Sequence, residues 1–168
     1  MTIYDDVRGW ACDRSLIPGN PAKQMLKVIE ELSEFLQERH KGYRPFDERT
    51  LAEGKELGDF LVTLVILAAQ HDMDFENCSS APRIERHGLD GFTIYLGKLA
   101  ECIGKQNDCL SEAFGNLRVF VNYCSVNWLS KTSEQCLQLA YDSIRDRTGK
   151  TIDGVFVKTS DLESDTND

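Results

Sequence analysis

Leu57-Gly58-Asp59-Phe60-Leu61-Val62-Thr63-Leu64-Val65-Ile66-Leu67-Ala68-Ala69 is the most apolar stretch of the chain, 13 residues with one acid inside it. A membrane-crossing helix needs roughly 20 apolar residues, so this stretch predicts a helix surrounded by protein on every side. The helix is expected from about Arg49 to His71. Its partner lies upstream: Asn20-Pro21 is a good start signal, Asn capping free N–H groups and Pro tolerating the first helical position. Met25, Val28, Ile29, Leu32, Phe35 and Leu36 then recur at spacings of three and four and form one apolar stripe. Gly42 and Pro45 close that first helix.

Working outward, helices are predicted over Phe92 to Lys105, Leu110 to Leu129 and Ser133 to Arg147, the last ended by Gly149. The polar segment Asn77 to Pro82 reads as a linker. Thr151 to Lys158, with an Asp153-Gly154 turn before Val155-Phe156-Val157, predicts an extended segment packed on the helices. The fold class is all-α, one domain over residues 1–160, with an acidic tail at 161–168 expected to be disordered.

Composition agrees with one domain: 168 residues, 41% apolar and 28% charged, enough to fill a core and too apolar for general disorder. Nineteen basic against 28 acidic residues give a net charge of −9, which argues against nucleic acid as a partner. An acidic chain still handles an anionic small molecule if metal ions neutralise it locally. Met1 to Trp10 lacks the apolar core of a secretory signal. The six cysteines show no zinc spacing and are expected to be buried or free thiols in a reducing cytosol. A soluble cytoplasmic protein without membrane contact is expected.

An internal repeat is visible. Shifted by 67 residues, Ile29-Glu30-Glu31-Leu32-Ser33-Glu34 falls on Leu96-Gly97-Lys98-Leu99-Ala100-Glu101. Shifted by 57, Leu57-Gly58-Asp59-Phe60 falls on Phe114-Gly115-Asn116-Leu117. The alternatives are a chance match of two amphipathic hairpins, or a catalytic hairpin (about 20–75) followed by a degenerate one (about 90–130). In the second half Glu31 meets Lys98, Glu56 meets Ala113 and Asp59 meets Asn116.

The carboxylates carry the chemistry. Glu31, Glu34 and Glu38 fall within about 60° of one another around the first helix, with Lys27 one turn before Glu31. Glu56 and Asp59, three apart, share a face of the second. An ionised Asp59 at the opening of a buried helix demands something positive beside it. Glu30 and Glu38 read as an ordinary solvated face. Glu31, Glu34, Glu56 and Asp59 are different: two acidic pairs on neighbouring antiparallel helices aim at one point, with few basic residues nearby to quench them. Oxygen ligands without His or Cys suit Mg²⁺ or Mn²⁺.

Glu30-Glu31-Leu32-Ser33-Glu34 followed by Glu56-Leu57-Gly58-Asp59 resembles the EExxE…ExxD signature of MazG-like nucleotide pyrophosphohydrolases, relatives of the dimeric dUTPases. Ala140-Tyr141-Asp142-Ser143-Ile144-Arg145-Asp146-Arg147-Thr148-Gly149-Lys150, then Asp153 to Lys158, resembles the closing segment of the phage and bacterial MazG-like type. The resemblance implies a four-helix-bundle core and hydrolysis of a nucleoside triphosphate between the α and β phosphates, giving a monophosphate and pyrophosphate. It also implies Mg²⁺ held by Glu31, Glu34, Glu56 and Asp59. Superfamily members often build the core from two chains, so a homodimer is expected, although an internal second hairpin would let one chain build it alone.

Acids cannot bind a triphosphate directly, so metal ions must bridge carboxylates to phosphate oxygens and activate water. Glu31 or Glu34 is the expected catalytic base. Basic residues expected at the phosphates are Lys27, Arg147, Lys150 and Lys158, with Arg145 in the same cluster; a basic helix C-terminus is the plainer reading of these last four. Trp10 is expected in the core and Asn20 as a cap, although Trp10, Asn20 and Gln24 also suit contact with a base. The alternative functions are a non-catalytic, metal-dependent nucleotide-binding module and a plain helical scaffold.

Overall fold

Asn20 does cap a helix. Its side-chain oxygen accepts from the N–H groups of Ala22 (2.9 Å) and Lys23 (3.3 Å), and Pro21 occupies the first helical position. In the computed structural model, which describes residues 1–82, 87–105, 108–152 and 155–159, this opens α2 (Pro21–His40). A short connection folds the chain back into α3 (Phe46–Gln70), the helix of the apolar stretch. Before them lies α1 (Ile3–Asp13); after them come α4 (Asp90–Lys105), α5 (Leu110–Leu129) and α6 (Ser133–Ile144). An antiparallel hairpin of β1 (Gly149–Ile152) and β2 (Val155–Lys158) follows, with Gly149 opposite Lys158. The fold is mainly helical, as expected. Among the described residues no helix is long and apolar enough to cross a membrane. The expected disordered tail at 161–168 lies outside the described residues.

Central α3 packs against α1, α2, α5 and α6, which explains why its second half is apolar all round: every residue from Phe60 to Ala69 is buried. The aromatic heart is Phe92 of α4, whose ring meets Phe35 (5.8 Å), Phe60 (5.9 Å) and Phe120 (5.1 Å). One side chain thereby ties α4 to α2, α3 and α5. Two glycines permit the closest approaches. A Cβ on Gly58 would lie 2.0 Å from the Cys136 carbonyl oxygen of α6, and one on Gly115 would lie 1.7 Å from that of Ser79. These are the two glycines that the repeat superimposes. At the second of them, Asn116 accepts a hydrogen bond from the Ala81 N–H (2.7 Å). The chain at 79–81 therefore covers in α5 the position that Asp59 occupies in α3.

Three features depart from the sequence reading. Helix α1 was not anticipated, although Thr2 and Asp5 form a reciprocal capping box and Tyr4, Val7, Trp10 and Ala11 make a buried stripe. Helix α6 stops at Ile144 rather than Arg147 because α1 takes up its terminal carbonyls. The Trp10 indole N–H donates to Ile144 (3.1 Å), and the Arg14 guanidinium donates to Arg145 (3.2 Å) and Arg147 (2.8 Å). Arg14 also stacks over the rings of Trp10 (4.5 Å) and Phe156 (5.7 Å), so it clasps α1, the end of α6 and β2 together.

The third departure concerns the cysteines. Cys102 and Cys109 are joined in a disulfide, which corrects the expectation of thiols throughout; Cys102 on α4 and Cys109 at the start of α5 have their Cα atoms 5.9 Å apart, within bridging range. Cys78, Cys124 and Cys136 are buried, and burial pushes the thiols of Cys124 and Cys136 up to about 12. A thiol reagent on the native, unreduced protein is therefore expected to titrate one fast group, the exposed Cys12. Unfolding should raise the count to the four free cysteines, and reduction to all six. Six on unfolding alone would mean the pair is not joined.

Candidate metal centre

The folding of α3 back along α2 sets Glu31 against Glu56 and Asp59. A carboxylate oxygen from each of the three lies within 4.8 Å of the others. All three are half-buried in a cleft of about 460 Å³, which Glu30 and Glu34 also line. Glu34 is exposed and stands outside the tight group, so the cluster is three acids with a fourth at the rim. The cleft's apolar lining includes Trp10, Val62, Ile66, Ile144 and Phe156.

Burial raises the carboxyls of both Glu31 and Glu56 above the ordinary range. The negative charges of Asp59 and Glu34 push the same way, while Lys27 opposes at Glu31 and Lys55 at Glu56. Two glutamates that hold protons harder than usual mark a crowded, partly desolvated acidic site. A divalent cation relieves such crowding. Mg²⁺ holds oxygens at about 2.1 Å, so its ligands lie roughly 3 Å apart at right angles and about 4.2 Å apart across the ion. The oxygens here lie within 4.8 Å of one another, a spacing that small side-chain rotations match to the ion, and the donor set is all oxygen. The residues fit the ion.

Positive charge is closer than the sequence suggested. Lys55 donates to Asp59 (2.7 Å) and stands 3.8 Å from Glu56; Lys27 lies 2.9 Å from Glu30 and 3.2 Å from Glu31. The expectation of few quenching cations is therefore corrected: each helix supplies one lysine to its own acids, and Lys55 is the positive partner that Asp59 required. Nothing in the spacing set Lys55 apart from an ordinary surface pair. The chain matches no known protein family, no curated protein and no solved structure.

Of the expected phosphate-binding residues, Lys27 and Arg147 line the cleft. Arg147 reaches it from the turn after α6, its Nε–H donating to the Ser143 carbonyl (3.1 Å). Lys150 is exposed on β1 and is not part of the lining. Lys158 ends β2, and its side chain lies outside the described residues. Arg145 is exposed and pairs with Asp142 (3.2 Å). Trp10 is buried as expected yet contributes to the cleft wall, and Gln24, also on the wall, donates its amide to the Thr63 carbonyl (3.0 Å). Glu38 is not a solvated acid. It is buried away from the cleft, held by Arg44 (2.5 Å) and Lys41, and the Lys41 hydrogen bond leads in drawing its carboxyl below the ordinary range.

Proposed function

We propose that the protein is a Mg²⁺-dependent nucleoside triphosphate pyrophosphohydrolase of the MazG-like type, cleaving an NTP or dNTP between the α and β phosphates. A cytoplasmic homodimer with a four-helix-bundle core is the state in which we read it. One observation carries the reading: Glu31, Glu56 and Asp59 converge from two helices in a single cleft that apolar side chains, Trp10 and Phe156 among them, also line. That lining suits a molecule with a charged polyphosphate and a flat heterocycle.

When bound, Mg²⁺ or Mn²⁺ supplies Lewis-acid polarisation of phosphoryl oxygens and a more acidic water. Glu31, Glu56 and Asp59 hold that ion. Glu34, exposed at the rim and outside the tight cluster, has the freedom to orient or deprotonate the attacking water. Lys27 and Arg147 balance phosphate charge, and Trp10 and Phe156, 5.8 Å apart and edge to face, form the wall for the base.

A specific observation favours a second reading, a metal-dependent nucleotide-binding module without turnover: Lys27 and Lys55 already neutralise part of the cluster. Pyrophosphate release from a panel of nucleoside triphosphates, with and without Mg²⁺, separates the two. Release that needs Mg²⁺ supports hydrolysis. Retention of a nucleotide with no release over hours supports the module.

A further inference from the structure

The two lysines of the cleft are placed in an unusual way. Along a helix an acid four residues before a lysine is the favourable order, and side chains lean toward the N-terminus. Lys27–Glu31 and Lys55–Asp59 both run in the reverse order, each lysine reaching toward the C-terminal end to meet its acid. Such pairs add little to a helix. Both ammonium groups are nevertheless drawn inward, with Lys27 and Lys55 side chains only 38% and 40% exposed. The acid cluster attracts them, one from each helix.

The position of Lys55 competes with a cation in the cluster. Its Nζ lies 2.7 Å from an Asp59 oxygen and 3.8 Å from one of Glu56, on two of the three carboxylates that an ion shared by Glu31, Glu56 and Asp59 would need. Two like charges at that separation repel strongly in a partly desolvated cleft. We infer that Lys55 and Lys27 are exchangeable counter-ions: they occupy the carboxylate cluster while it is empty, are displaced by the divalent cation, and swing to the phosphates of the incoming substrate. This rests on the metal centre proposed above. No bond is made or broken in the exchange; two ammonium–carboxylate pairs give way to metal–carboxylate contacts and ammonium–phosphate pairs. Metal and polyphosphate then help each other to bind, because each removes what the other must otherwise displace.

Mn²⁺ alone is the probe, its binding followed by the electron paramagnetic resonance of the free ion. Lys55→Met is expected to bind Mn²⁺ roughly tenfold more tightly than the parent, whereas Lys55→Arg, which keeps the charge, stays close to it. A Lys55→Met affinity equal to or weaker than the parent's overturns the inference while leaving the metal centre standing. If neither parent nor variant binds Mn²⁺, the metal centre itself falls and takes the inference with it. Lysine acetylation of the unaltered protein, read by mass spectrometry, is independent of any variant's folding. Saturating Mn²⁺ should increase labelling of Lys55 and Lys27 several-fold but leave Lys105, paired with Glu101 on the distant α4, unchanged. Unchanged labelling of Lys55 under bound Mn²⁺ refutes the exchange.

Discussion

Asp59→Asn is expected to lower Mg²⁺-dependent pyrophosphate release by at least about 10³-fold, since losing a metal ligand forfeits several kcal/mol of stabilisation at the reacting phosphate. The fold should survive. Asp59 is half-buried at the cleft, not in the core, and its removal relieves repulsion with Glu56 and Glu31 while costing the pair with Lys55. Far-UV circular dichroism and Tm check that. Glu34→Gln is expected to lose activity to a similar degree for a different reason, because Glu34 stands outside the tight group of ligands. A titration with Mn²⁺ separates the two roles: Asp59→Asn should bind the ion much more weakly, Glu34→Gln almost as the parent does. If both variants hydrolyse like the parent, the cluster is an ion-pair network and the metal assignment is wrong.

A large effect on stability is expected at Gly58. A methyl group there meets the Cys136 carbonyl oxygen at 2.0 Å and the Ala140 Cβ at 2.9 Å, so α3 and α6 must separate. Overpacking against backbone costs about 3 kcal/mol, and the better helix propensity of Ala returns only about 1. For a domain of this size the net loss lowers Tm by roughly 4–8 °C. Activity should fall as well, because Gly58 lies between Glu56 and Asp59 in the sequence and any shift of α3 moves both carboxylates. Gly97→Ala is the control: nothing stands within 4 Å of its Cβ position on α4. That variant is expected to be neutral or stabilised by up to about 1 kcal/mol. Equal melting temperatures for the two variants would contradict the close contact of α3 with α6.

What could be read from the sequence was local. Asn20-Pro21 announced α2 because cap and first turn are set by neighbouring residues, and the apolar run from Phe60 announced a helix with protein on all sides because its burial is complete. The acidic pairs pointed to the cleft through helical spacing alone. Tertiary partners were not legible. The end of α6 is decided by Trp10 and Arg14, over 130 residues away, and the joining of Cys102 to Cys109 by how closely α4 and the start of α5 bring the two together. Lys55 escaped notice for a related reason: whether a lysine four residues before an acid points at solvent or into a cluster depends on what the next helix places there. Glu38 taught the same lesson in reverse, being buried by Arg44 and Lys41 beyond the end of its own helix.

The cleft takes lining from Trp10 near one end of the chain to Phe156 near the other, and the Arg14 guanidinium is what fastens those ends together. During synthesis on the ribosome α2 and α3 emerge early and can pair at once, so the acids meet long before their surroundings exist. Their enclosure has to wait for β2 to clear the exit tunnel. A nascent chain stalled short of Phe156 would therefore carry its charged groups without the wall that gives them a pocket.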